Sequence, residues 1–255
     1  MYARFVIYNF DEIYNRLLDD KHYEIVGRKI TSQLKKDIQR SSERVFDKKI
    51  GLFNASIIEQ RWFPHIPCDI FVAYSHKDYN KALSFVGWLY EHFGIMAFLD
   101  AAIWRNIRKL REMFVKKYID ESDYDPKKET EIIVESATAA KTILDSATMK
   151  MIKYTECFVF IGTKNAFENN ETCSPYIKTE LEISGSIERT GPDSSLRRLA
   201  HSNKVNFLTP NIKYDIDLKQ YSEITLEDLL YLYERRTLLK TYEETLSELY
   251  RRKGL

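Results

Sequence analysis

The chain of 255 residues is long enough to bury a sizeable core, as one domain with an appendage or as two small ones. Its 39 Lys and Arg nearly cancel its 38 Asp and Glu, which argues against a protein that coats duplex nucleic acid and gives no reason to invoke an anionic membrane surface. Three cysteines (Cys68, Cys157 and Cys173) are an odd number without metal-ligand spacing, so neither a disulfide framework nor a zinc site is expected.

In chain order, residues 1 to about 65 read as helical and charged, with polar stretches such as GRKITSQLKKDIQRSSERV. The opening MYARFVIYNFDE lacks the basic start and apolar centre of a signal peptide, and no apolar run approaches a membrane span, so a cytoplasmic protein is expected. Pro64 and Pro67 mark a boundary. DIFVAYS, residues 69 to 75, is a short apolar run ending in small polar residues, the pattern of a buried parallel strand.

A helix follows, with Ala82, Leu83, Val86, Leu89, Tyr90 and Phe93 at helical spacing and Gly94 as its stop. IMAFLD, residues 95 to 100, is a second strand. WRNIRKLREMFVKKYIDES places Trp104, Ile107, Phe114 and Tyr118 on one face of a helix, and DYDPKKET reads as a loop. Residues 137 to 155 form another helix, CFVFIGT (157 to 163) a third strand, KVNFLTP (204 to 210) a fourth, and the chain from Thr225 onward is helical. Strand and helix in alternation predict an α/β fold with a parallel sheet, whose ligands sit beyond the carboxyl ends of the strands near a switch in strand order.

The chemically suggestive residues fall there. Tyr74, Ser75, His76 and Asp78 follow the first of these strands, Asp100 and Trp104 the second, and Glu180 lies on the helix after the third. There is no Walker loop, no G-x-G-x-x-G and no G-x-S-x-G elbow, so nucleotide hydrolysis, Rossmann redox chemistry and hydrolase-type acyl transfer lose their usual signatures. Cys173 has no identifiable His partner and reads as a loop cysteine. His76 reads as a surface or ligand-contacting histidine before an acid or base, and Trp88 as a packing residue.

SPYIKTELEIS, residues 174 to 184, begins with a good N-cap and a proline suited to the first helical position. Its apolar face gathers Tyr176, Ile177, Leu181, Ile183 and Ile187, and Glu180 falls in the middle of it. Two readings stand. Glu180 is an edge carboxylate paired with Lys or Arg; or it stands on a cleft wall, four residues after an aromatic ring, holding a sugar's hydroxyls or steadying positive charge on a ribose.

CDIFVAYSHKDYNKALSFVGWLYEHFGIMAFLDAAIW resembles the first half of bacterial Toll/interleukin-1 receptor (TIR) domains, and ECFVFIGTKNAF with SPYIKTELEIS resembles their third strand and the helix bearing an aromatic-x-x-x-Glu motif. The resemblance covers roughly residues 65 to 210. It implies a flavodoxin-like parallel sheet of about five strands flanked by helices, with a TIR domain over 66–210; outside it the chain itself reads as an N-terminal helical extension over 1–65 and a C-terminal helical segment over 211–255 packed on that domain.

In enzymatic members it also implies cleavage of the nicotinamide–ribose bond of NAD, to nicotinamide and either ADP-ribose or a cyclic ADP-ribose isomer, as a signal in antiphage immunity. Glu180 matches the catalytic glutamate. Tyr176 stands where Trp is common, Tyr74, Ser75 and Asp78 match the loop after the first strand, and Trp104 falls in the region of the BB loop; these are the implied substrate-binding residues. NAD is then a substrate, with no cofactor or metal. The implied partners are further copies of the chain, through TIR–TIR contacts, and a downstream effector that senses the product, with no nucleic acid and no membrane. Two other readings are a TIR scaffold that acts only by assembly and a nucleoside-handling transferase on a similar fold.

Overall fold

The computed structural model describes residues 1–43, 53–99, 101–120, 126–189 and 213–255. The chain opens with β1 (Ala3–Ile7), α1 (Phe10–Ile13), which runs on into a π-helical turn over Tyr14–Leu18, α2 (Lys21–Glu43) and α3 (Ala55–Trp62). Next come β2 (Ile70–Ala73), a 3-10 turn over His76–Asp78, α4 (Tyr79–Phe93), β3 (Ala97–Leu99), α5 (Ala101–Asp120), α6 (Pro126–Tyr154) and β4 (Cys157–Ile161). The remainder holds β5 (Glu171–Thr172), α7 (Pro175–Ser186), β6 (Tyr214–Asp215), β7 (Ser222–Glu223), α8 (Leu226–Glu234) and α9 (Tyr242–Lys253).

Among the described residues, five strands form one parallel sheet in the order β3-β2-β4-β1-β7, and β5 and β6 pair antiparallel beside it. The expected α/β architecture is present, a flavodoxin-like sheet with helices on both faces. Because strand residues alternate sides, Val6, Phe71, Phe98, Phe158 and Phe160 pack on one layer with Leu110, Phe114, Leu144, Met151, Ile177 and Leu181. Phe5, Ile7, Val72, Val159 and Ile161 face the opposite layer with Leu83, Val86, Trp88, Leu229, Leu232, Leu246 and Leu249.

Local signals placed several ends correctly. Ser174 caps α7 by accepting the N–H of Ile177 at 3.3 Å, with Pro175 behind it in the first turn. Gly94 ends α4 at φ 66°, a left-handed conformation that costs a glycine nothing.

Three expectations are corrected. The N-terminal segment is not helical throughout, because ARFVI forms β1, which lies between β4 and β7 in the sheet. All five of its residues are buried, as a parallel interior strand requires. The sheet therefore draws β1 from before residue 66 and β7 from after residue 210. DYDPKKET is not all loop: Pro126 opens α6, where a proline's missing N–H and fixed φ suit the first helical turn. The stretch after residue 210 is not helical alone, since it also holds β6 and β7. The fourth strand expected at 204–210 lies outside the described residues; both neighbours of β4 are already taken, by β2 and β1.

A close crossing joins α2 to α4, the helix that packs on the second face. Gly27 of α2 and Gly87 of α4 let the two helices cross backbone to backbone. A Cβ on Gly27 would stand 2.0 Å from the carbonyl oxygen of Leu83, and one on Gly87 would stand 1.9 Å from that of Tyr23. Beside the crossing the Tyr23 hydroxyl and His92 Nε2 are hydrogen-bonded at 3.0 Å.

Helix propensity alone makes Gly87→Ala stabilising by about 1 kcal/mol. The backbone clash reverses the sign, and we expect Gly87→Ala to cost about 3 kcal/mol and to lower the midpoint of urea unfolding. A raised midpoint would mean that the helices do not cross this closely.

Candidate functional site

β2 and β4 are neighbours whose chains leave in opposite directions. β2 leads to β3 at one edge, and β4 leads by way of α7 to β7 at the other. The crevice above their carboxyl ends is the switch point at which open α/β sheets bind ligands.

From the β2 side the crevice receives Tyr74 and Ser75, both buried, then the exposed His76, then Asp78 at 3% exposure. Asp78 is fully engaged by protein. Its Oδ2 accepts from the Thr163 hydroxyl at 2.5 Å and its Oδ1 from the Asn165 amide at 2.9 Å, so it ties the end of β2 to the segment leaving β4. Lys81 stands 3.4 Å from Asp78 and donates to Asp11 at 2.6 Å, which carries the brace on to α1. A buried carboxylate is tolerated when its lone pairs are met in this way.

From the other side comes α7. Its buried residues are Ile177, Glu180, Leu181 and Ser184, the i, i+3, i+4, i+7 stripe of a helix lying on a core. Glu180 is 2% exposed, so the carboxylate points inward, as its place in the sequence pattern indicated. The second half of the helix is fixed by polar clamps. The Tyr221 hydroxyl donates to the carbonyl of Leu181 at 2.9 Å and lies 2.5 Å from Ser184 Oγ; its burial raises the tyrosine pKa. Arg4 of β1 donates to Gln220 Oε1 at 2.9 Å and to the carbonyl of Ile187 at the helix end, where partial negative charge collects. Burial, and then the neighbouring Arg189, lower the Arg4 pKa.

The two sides meet through aromatic rings. His76 and Tyr176 are nearly parallel, at 22° with centroids 6.5 Å apart, and Tyr74 lies 6.0 Å from His76. The Lys141 ammonium of α6 stands 5.5 Å from the Tyr176 centroid and is ion-paired with Asp145, whose carboxyl is raised by burial.

The structure thus places Tyr74, Ser75 and Asp78 at the end of β2 and Tyr176 and Glu180 on α7, with His76 joining the two groups. Trp104 belongs to the first turn of α5, and its side chain, like Asp100, lies outside the described residues. Sequence reasoning missed Thr163 and Asn165, although GTKN directly after a strand was a signal for a crevice loop. It also missed Arg4, Lys141 and Tyr221, which come from elements distant in the chain and carry no local signal.

Such an arrangement sets a carboxyl group in a low-dielectric surround one helical turn from an aromatic ring, where its charge acts strongly on any positive charge brought beside it. Among the described residues no three His, Cys, Asp or Glu side chains are grouped so as to hold a metal ion. A groove of 320 Å³ between α3, α5 and α6, lined by Phe53, Phe114, Tyr118 and Ile143, and another of 180 Å³ beside Lys178, Glu182 and Gln220 are not lined by Glu180. No helix among the described residues is long and apolar enough to cross a membrane. No protein-family model matches the chain, and no curated protein or solved structure matches it.

Asp78→Ala should cost about 3 kcal/mol, because Thr163, Asn165 and Lys81 lose a buried acceptor together. Urea unfolding measures this; a loss below about 0.5 kcal/mol, the size of an ordinary surface change, would show that Asp78 does not brace the crevice.

Proposed function

We propose that the protein is a TIR-type enzyme that cleaves the nicotinamide–ribose bond of NAD, with Glu180 as its catalytic carboxylate. The observation that carries this reading is the inward-pointing Glu180, 2% exposed in the buried stripe of α7, one turn after Tyr176 and beside a sheet switch point. The aromatic-x-x-x-Glu motif and the Ser-containing loop after a buried strand supply the likeness.

The chemistry asks little of the protein. Nicotinamide leaves with the electron pair of the bond from its ring nitrogen to C1′ of the ribose, and the ribose takes on oxocarbenium character. A carboxylate that accepts from the 2′ and 3′ hydroxyls orients the sugar and offsets that charge, an interaction stronger in the transition state than in the ground state. Water adding at C1′ and releasing a proton gives ADP-ribose. Addition of the adenine or of a ribose hydroxyl of the same molecule, with loss of a proton, gives a cyclic isomer. On this reading the enzyme acts in the cytoplasm, assembles with copies of itself and supplies a nucleotide signal to an effector in antiphage defence.

The burial of Glu180 also favours a second reading, a TIR scaffold that acts by assembly alone. The enzyme reading requires the carboxylate to become reachable when NAD or a second copy binds.

Purified protein incubated with NAD at low and high protein concentration, with products identified by liquid chromatography and mass spectrometry, tests the two. Wild type should release nicotinamide. Glu180→Gln should be slower by about a hundredfold or more with an unchanged unfolding midpoint. Equal rates in the two proteins would remove Glu180 from the chemistry. No release at any concentration would favour the scaffold.

A further inference from the structure

The groove between α3, α5 and α6 has a volume of 320 Å³, within the range of small-molecule sites. Side-chain size on α6 creates it. Ile132, Ser136, Ala139 and Ile143 share the helix face turned to the groove, at i, i+4, i+7 and i+11, and the two middle residues are small. A second wall is aromatic. Phe114 and Tyr118 stand one turn apart on α5, and Phe53, at the entry to α3, meets both edge to face, with centroids 4.8 and 6.0 Å away. Two polar side chains of α6 also line the groove. Ser136 is 4% exposed, yet among the described residues its hydroxyl has no hydrogen-bond partner, whereas Thr130, Thr138 and Thr142 of the same helix each donate to the carbonyl four residues back. Glu135 is the one charged residue of the lining and makes no ion pair among the described residues. Glu131, four residues earlier and exposed like it, adds a second negative charge on that side of the helix.

We propose that this groove binds an apolar primary ammonium ion, a hydrocarbon body carrying one ammonium group. The body lies against Phe53, Phe114, Tyr118 and Ile143, and the ammonium donates to the Glu135 carboxylate and to Ser136 Oγ. Each part of the ligand answers a feature of the lining. The rings exclude water from the body and attract the cation through their electron-rich faces. The carboxylate gains the opposite charge that the protein does not supply, and the nearly buried hydroxyl gains a hydrogen-bond partner. A carboxylate or phosphate ligand would meet Glu135 with no Lys or Arg in the lining to receive it. A pure hydrocarbon would leave Ser136 enclosed and unpartnered. The groove is not lined by Glu180, so this site stands apart from the reaction proposed there.

Three probes of one shape test it: phenethylammonium, the neutral phenethyl alcohol and the anionic phenylacetate. Their binding to the full chain is read by saturation-transfer difference NMR at low salt, with unfolding midpoints as a control on each variant. Wild type should bind phenethylammonium, the alcohol about tenfold more weakly, as expected for loss of a hydrogen bond between charged groups, and phenylacetate least. Glu135→Gln, a change at an exposed position, should weaken the amine about tenfold and leave the alcohol unchanged. Ser136→Ala should weaken the amine, and added salt should weaken it in wild type more than in Glu135→Gln. Ala139→Phe fills the groove and should abolish binding of all three probes while the chain stays folded. The site is overturned if phenethylammonium does not bind wild type, if the alcohol binds as tightly as the amine, or if Glu135→Gln binds the amine as wild type does. Amine binding that survives in folded Ala139→Phe would place the ligand elsewhere and overturn it equally. Self-association of wild type that Ala139→Phe disrupts, with no amine bound, would give the groove to a second copy of the chain instead.

Discussion

A carboxyl group inside the packing stripe of a helix is a constraint that the surrounding elements must accommodate. At position 180 an apolar side chain would complete the face formed by Ile177, Leu181 and Ser184, yet the chain carries a glutamate that is 2% exposed. Burying it forgoes hydrophobic stabilisation and costs solvation of a polar group. The rest of α7 offsets this. Ser174 caps its start, Tyr221 engages Leu181 and Ser184, and Arg4 reaches across from β1 to the carbonyl of Ile187 at its end. A helix fixed at both ends and polar in the middle is organised around the place where Glu180 stands.

The sheet supplies the other half of that place. β1 occupies the position beside β4, so the N-terminal segment is an interior part of the fold, and it delivers Arg4 beneath α7. Taken from β2 onward, the order β3-β2-β4 repeats the start of the flavodoxin-like arrangement, with the fourth position filled by the strand that comes first in the chain. The switch point between β2 and β4 survives this rearrangement, because it depends only on where those two strands lead. Asp78 locks the same crevice from below the turn, which makes its first task mechanical.

How much of this was legible follows from the range of each interaction. The N-cap at Ser174, the stop at Gly94 and the inward phase of Glu180 are written within one or two helical turns, and all three were readable. Three buried strands were readable from apolar runs that end in small polar residues. β1 was not, because the arginine inside ARFVI breaks the apolar run that marked the other strands. β7 has two residues and takes its identity from pairing with β1. The hydrogen-bond donors to Asp78, Thr163 and Asn165, lie 85 and 87 positions away, and the Gly27–Gly87 crossing is meaningful only when two helices are already side by side. The placement of Tyr74, Ser75 and Asp78 after a strand and of Tyr176 and Glu180 on one helix was legible, and the braces that hold them were not.

The most direct measurement is a crystal structure of Glu180→Gln grown with NAD, since the substitution keeps the side chain's shape while slowing turnover. The account predicts the nicotinamide-side ribose with its hydroxyls within hydrogen-bond distance of the residue 180 side chain, in the crevice between β2, β4 and α7. NAD bound in the groove between α3, α5 and α6 with residue 180 still enclosed, or no NAD bound at saturating concentration, would contradict it.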